Sequence, residues 1–186
     1  MSTRTTPFVS GEHYHLYNRG NSKQTIFHDD EDYWRFMTLL YTCNSENNFR
    51  IFLIRREKVD PYLWERSSKL VSIGAYCLMP NHFHILIKGK DDNDISKFMQ
   101  KLSTAYVMYY NKKYRRSGGL FEGKFKSEYL GTDRYLKYIF SYIHLNPIKL
   151  LQKDWKENGI KNKTKSVEYL NKYKFSSYLD YTGTKR

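Results

Sequence analysis

The element order legible in this chain predicts an α+β fold of the ferredoxin-like kind, β-α-β-β-α-β with an additional C-terminal helix. Its antiparallel sheet is expected to carry the helices on one face. Three observations predict it. Apolar runs of strand length recur at residues 13–18, 70–79 and 82–88. A Pro80-Asn81 turn joins the second run to the third. Helical-period stripes separate the remaining strands.

Each element has its own signal. "HYHLYN" at 13–18 reads as the first strand, ended by the Asn-Arg-Gly-Asn turn at 18–21. Asp29 or Asp30 can cap a helix over about 31–45, with Tyr33, Trp34, Met37, Leu40 and Tyr41 as its stripe. Residues 46–70 are ambiguous: "FRIFLI" suits a short strand, and "DPYLWERSSK" a loop or helical turn. "LVSIGAYCLM" and "HFHILIK" form the central hairpin. Asp94 or Ser96 then caps a helix over 94–114, with a stripe of Ile95, Phe98, Met99, Leu102, Ala105, Tyr106 and Tyr109. "KFKSEYLG" at 124–131 suits a final strand. Thr132 or Asp133 starts a last helix that Pro147 stops near Asn146. A short helix is expected near 166–173. Residues 1–150 are expected to form one domain, with 151–186 as a basic extension packed on or flanking it.

At 186 residues and 40% hydrophobic, the chain can bury a core and is not a disordered segment. No apolar run approaches the ~20 residues that cross a bilayer. The N-terminus lacks the apolar core of a secretory signal. Cys43 and Cys77 stand in unrelated contexts, so a reduced, cytoplasmic protein is the simplest reading.

Thirty-two Lys and Arg against 19 Asp and Glu give a net charge of +13, which points to a polyanion. The basic blocks are residues 55–58, 111–126 and 161–175. In the second, Tyr114, Phe121 and Phe125 stand among Lys112, Lys113, Arg115, Arg116, Lys124 and Lys126. Cations that track phosphates, beside rings that stack on bases, suit a single-stranded nucleic acid. Any one block could equally be a solvated face with its rings in the core.

Two His-x-His pairs compete for attention. Alternation on the 82–88 strand turns Phe83, Ile85 and Ile87 one way, and His82, His84, Leu86 and Lys88 the other. Histidines two apart on one strand face lie roughly 6.5–7 Å apart at Cα and can share a divalent ion. His13 and His15 offer the same spacing on the first strand, and spacing alone does not choose between the pairs. On the last helix Tyr135, Ile139, Tyr142 and Asn146 fall within about 60° of one another. That is ordinary for a core stripe, except that a buried asparagine needs a partner. His144 is turned away from Tyr142 and reads as structural or surface.

"AYCLMPNHFHILI" resembles the His-hydrophobic-His core of the HUH endonucleases, in the form used by single-tyrosine transposases. "HYHLYNRGNSKQTIFHDDEDYWRFMTLL" is similar to their opening strand and helix. "GGLFEGKFKSEYLGTDRYLKYIFSYIHLNP" is similar to their final strand and nucleophile helix. The resemblance, closest to the REP-associated tyrosine transposases of the insertion-sequence-200-like group, covers about residues 12–150 and "YKFSSYLDY". It implies that His82, His84 and Asn146 bind Mg²⁺ or Mn²⁺. It also implies that Tyr142 is the nucleophile of a 5′-phosphotyrosine intermediate, and that hairpin-forming single-stranded DNA is the partner of a monomer or homodimer. His13 and His15 are thereby set aside as ligands. Two alternatives were weighed against this reading: a catalytically silent DNA or RNA hairpin-binding module, and a replication-initiator-like enzyme. The first must account for the intact candidate set, and the second for a chain without a helicase segment.

Overall fold

The computed structural model describes residues 7–47, 60–63 and 65–183. The proposed strand at 49–54 and the basic block at 55–58 lie outside these. Strands β1 (His13–Arg19), β2 (Val71–Met79), β3 (His82–Gly89) and β4 (Lys126–Tyr129) form one sheet in the order β2-β3-β1-β4. Every neighbouring pair is antiparallel. Each crossover skips one strand, through α1 (Asp30–Thr42) after β1 and α2 (Asp94–Lys113) after β3. This is the ferredoxin-like topology.

Local chemistry fixes the ends. Asp29 accepts from the Asp32 backbone N–H and caps α1. The expected cap of α2 differs: Asn93 takes the cap position without a side-chain bond, and Asp94 instead accepts from the Asp91 N–H. Pro80 and Asn81 make a two-residue turn between the paired Met79 and His82. The Pro80 carbonyl accepts from the Ile26 and Phe27 N–H groups, which docks the loop after β1 against the hairpin.

The sheet's two faces do different work. Leu16, Leu78, Phe83, Ile85 and Ile87 meet Phe36, Met37 and Leu40 of α1 and Phe98, Leu102 and Tyr106 of α2. Ala75, Cys77, Met79 and Leu86 occupy the opposite face and meet Ile139 and Ile143 of α3 (Asp133–Leu145). The expectation of helices on one face thus holds for the two crossovers and not for the last helix. The reason is alternation: β2 carries apolar residues on both sides, so the second face also needs a cover. α3 is capped by Thr132, which accepts from the Tyr135 N–H, and gives way at Asn146 to a 3-10 turn containing Pro147.

After short α4 (Trp155–Asn158) and α5 (Lys163–Lys172), the chain returns to the free edge of β2. The Leu78 N–H donates to Phe175, the Ser177 N–H donates to Tyr76, and Tyr173 Oη donates to the Leu78 carbonyl. Covering an edge in this way removes a row of unpaired donors and acceptors. The last turn, α6 (Tyr178–Tyr181), follows. It packs Tyr181 edge-on against Phe140 and His144 of α3.

Candidate active site

The strand pairing assembles the site. Residues alternate across each strand, so His13, His15 and Tyr17 of β1 share a sheet face with His82 and His84 of β3. In the register, Tyr17 lies opposite His84 and Arg19 opposite His82. α3 crosses this face and brings Tyr142 over the histidines. Its ring centroid is 5.4 Å from that of His84, and the two histidine rings are 5.1 Å apart. Asn146 lies one turn further on, close enough to influence both His82 and Tyr142 electrostatically. The structure therefore brings His82, His84, Tyr142 and Asn146 together.

Both histidines are held by one ring nitrogen. His82 Nδ1 lies 2.6 Å from Asn81 Oδ1, and His84 Nδ1 lies 2.8 Å from His15 Nε2. His84 is 7% exposed and Asn146 2%. His84 Nε2 and Asn146 Oδ1 are both buried without a hydrogen-bond partner. Burial holds both imidazoles neutral, with help from nearby cations: His82 is lowered to about 4, with Lys149 contributing, and His84 falls well below the ordinary value. The set fits a divalent cation. Two uncharged imidazoles and an amide oxygen offer lone pairs, two of these atoms lack any other partner, and each histidine is braced behind. No group of three His, Cys, Asp or Glu side chains suited to a metal occurs among the described residues.

Tyr142 is half-buried. Burial raises its phenol above the ordinary value, opposed by nearby Lys156 and Asn146. The Lys156 ammonium sits 4.9 Å from the centre of its ring. Tyr138, stacked at 6.4 Å, is 51% exposed, and Tyr135 donates to Glu128, so neither shares the position of Tyr142.

The cluster opens into a cavity of about 780 Å³. Arg19, Lys23, Lys126, Lys149 and Lys153 line it, and its one lining carboxylate, Glu122, is paired with Arg19. Ser22 and Lys23 at its rim adopt left-handed backbone (φ 51° and 60°), unfavourable for side chains with a Cβ. The Lys23 carbonyl accepts from the Asn81 amide there.

The basic residues read from sequence separate into groups. Lys126 lines the cavity, and Lys124 is exposed beside it in sequence. Lys112 and Arg115 are exposed at the end of α2. Arg116 donates to the Gly119 carbonyl and lies over Tyr110. Lys113 is committed elsewhere, to ion pairs with Asp29, Glu31 and Asp32. His144 is buried and bonded to Ser177 Oγ at 2.8 Å, a structural contact. The cations at Arg19, Lys23, Lys149, Lys153 and Lys156 were missed, because they stand singly rather than in blocks. His15 was set aside, yet it touches His84.

A ferredoxin-like sheet with a tyrosine helix laid over a histidine pair is the architecture that comparison with known proteins also meets. Residues 64–146 match the family model described as Transposase IS200 like. Among solved structures, the chain is similar in fold to one described as the REP-associated tyrosine transposase bound to a REP hairpin. The TM-score is 0.61 at 13% identity, covering 98% of this chain and 86% of that one. It also matches a putative transposase from Deinococcus radiodurans R1, at TM-score 0.42 and 14% identity, covering 76% of this chain and 95% of the other. No curated protein matches.

Proposed function

We propose that the protein nicks and rejoins single-stranded DNA at hairpin-forming repeats through a phosphotyrosine on Tyr142. The observation that carries this reading is the meeting of Tyr142, His82 and His84, with Asn146 beside them, where the first three line a cationic cavity. The family match to transposases and the fold likeness to a protein bound to a REP hairpin support it.

In this reading Arg19, Lys23, Lys149 and Lys153 hold the DNA backbone by its phosphates. The Tyr142 oxygen attacks phosphorus in line. The bond from phosphorus to the 3′-oxygen breaks, the phenol proton is released, and the departing 3′-oxygen takes up a proton to become a hydroxyl. Lys156 over the ring stabilises the charge that builds on the phenol oxygen. A Mg²⁺ or Mn²⁺ held by His82, His84 and Asn146 would polarise the scissile phosphate and offset its developing charge. The phosphoester conserves the bond energy, so a second 3′-hydroxyl can reverse the attack and join strands without a nucleotide cofactor.

The test is incubation of the protein with labelled hairpin-bearing single-stranded DNA and Mn²⁺, followed by peptide mapping of any covalent adduct. The expected adduct is Tyr142 on a 5′-phosphate, with a 3′-end that a polymerase extends. An adduct on Tyr135 or Tyr138, or a 3′-phosphotyrosine, overturns the assignment. Tight hairpin binding with no adduct would favour the silent binding module.

A further inference from the structure

Two polar residues under α3 have no part in the reaction just described. Glu128 on β4 lies opposite His15 on β1 in the strand register. Its carboxylate accepts from Tyr17 Oη at 3.0 Å and from Tyr135 Oη at 2.8 Å. Its Oε2 lies 3.7 Å from His15 Nδ1, an ion-pair separation rather than a hydrogen bond. His15 is 3% exposed, and its Nδ1 has no closer polar partner among the described residues. Its other nitrogen meets His84 Nδ1 at 2.8 Å, with the two rings stacked at 5.0 Å. One line of contact therefore crosses β4, β1 and β3 and ends at the unpartnered Nε2 of His84.

The Glu128 carboxylate biases proton placement along this line. A neutral imidazole has one N–H and one lone pair, and an ionised carboxylate only accepts. The carboxylate keeps the proton of His15 on Nδ1. His15 Nε2 must then accept, so the proton between the rings belongs to His84 Nδ1. That leaves the His84 Nε2 lone pair facing the cavity. With His15 protonated at Nδ1, an Nε2–H tautomer of His84 would place an N–H where a cation must bind and would face two lone pairs across 2.8 Å. Reversing both rings would keep the 2.8 Å bond but leave the His15 Nδ1 lone pair facing the Glu128 carboxylate.

We propose that Glu128 and His15 are positioning residues that lock His84 in the Nδ1–H tautomer and hold its ring still for a cation. The relevance of the lock rests on the reading of His82, His84 and Asn146 as a cation site. The fold serves it directly, since a one-residue slip of β1 would turn His15 to the other sheet face.

The experiment uses the full chain with ¹⁵N-labelled histidine, free of metal, and long-range ¹H–¹⁵N correlation spectra that distinguish ring tautomers. Wild type is expected to show His84 protonated at Nδ1. His15→Phe keeps a ring in the core but removes the acceptor. It should shift His84 toward the Nε2–H tautomer and weaken Mn²⁺ binding by about 10–100-fold, the usual cost of losing such a brace. His15→Gln retains an acceptor oxygen and should recover most of both, and Glu128→Leu should disorder the His15 tautomer. An Nε2–H tautomer in wild-type His84 overturns the proposal whether or not any variant folds. So does His15→Phe with tautomer and Mn²⁺ affinity unchanged. The tautomer is read without metal, so it stands apart from the cation site, which fails on its own evidence if His82→Ala leaves Mn²⁺ binding intact.

Discussion

Two buried polar clusters sit on opposite faces of the sheet, and they are built to opposite rules. On the crossover face, Asp32 is 0% exposed and its carboxylate is saturated. Lys113 Nζ and Tyr109 Oη donate to one oxygen at 2.9 Å each. Tyr114 Oη and the His28 N–H donate to the other at 2.7 and 2.8 Å. Burial alone would raise this carboxyl, but those donors outweigh it and hold it below the ordinary range. On the α3 face, His84 Nε2 and Asn146 Oδ1 are buried and unpartnered. Each such group costs about 1–3 kcal/mol. The contrast teaches how to sort buried polarity: the satisfied cluster pins α1 to α2, while the unsatisfied one holds lone pairs in reserve for a ligand.

The comparison breaks first at Tyr142. Tyr142→Phe should reduce covalent adduct below detection, a loss beyond about 10³-fold, because phenylalanine has no oxygen to esterify. Hairpin affinity should persist, and stability should change by no more than about 1 kcal/mol. Gel analysis of the adduct beside urea unfolding checks both. If the variant unfolds instead, the α3 cluster is structural after all.

Lys113→Met tests the other face. It leaves Asp32 without its charged donor among the described residues and should cost about 3–5 kcal/mol in urea unfolding. Residual adduct formation per folded molecule should be unchanged. A loss of DNA affinity without a loss of stability would return Lys113 to the nucleic-acid surface on which its sequence context placed it.

Acid separates the two clusters further. In metal-free protein, His82 stays neutral in the fold down to about 4, while its unfolded counterpart protonates near 6.5. The unfolded chain then binds more protons, so stability is full above about 6.5 and falls as pH drops toward 4. His82 alone accounts for a fall on the order of 3 kcal/mol. The lowered Asp32 carboxyl contributes stability that persists through that window and is lost only below the ordinary carboxylate range. Chemical denaturation across pH should show the fall, and His82→Gln should reduce it, leaving the share that the likewise lowered His84 contributes. A flat wild-type profile would contradict the assigned burial cost.

The smallest effect belongs to the exposed cations at the end of α2. Lys112→Ala with Arg115→Ala should lower the salt slope of single-strand binding by roughly one to two and leave stability within about 0.5 kcal/mol. An unchanged slope would mark that end as a solvated surface, leaving the cavity cations to carry the phosphates.

How much was legible follows from the range of each signal. Periodicity is local, so the strands at 13–18, 70–79 and 82–88 could be read within a residue or two of their observed ends and the helices within about three. The Pro80-Asn81 turn and the Thr132 cap likewise depend on neighbours in the chain. The motif around His82 and His84 and the Tyr142–Asn146 spacing are local as well, and they pointed to residues that the fold does bring together. His15 was within reach in part. Alternation put it on the same sheet face as His84 once β1 and β3 were neighbours, but only the register sets the 2.8 Å contact. Basic blocks showed where charge is dense but not what it meets, and so Lys113 was grouped with residues that face solvent.

By itself, then, the sequence determined the elements, their order and the tyrosine and histidine motifs, because each is written in residues a few positions apart. Only the tertiary structure decided that α3 covers the sheet face opposite the crossover helices, and that Glu128, His15 and His84 line up across three strands. It alone drew the scattered cations Arg19, Lys23, Lys149, Lys153 and Lys156 around Tyr142 and the histidines. Those facts depend on which strands pair and in what register, and pairing is settled by the burial of whole faces rather than by any short stretch of chain.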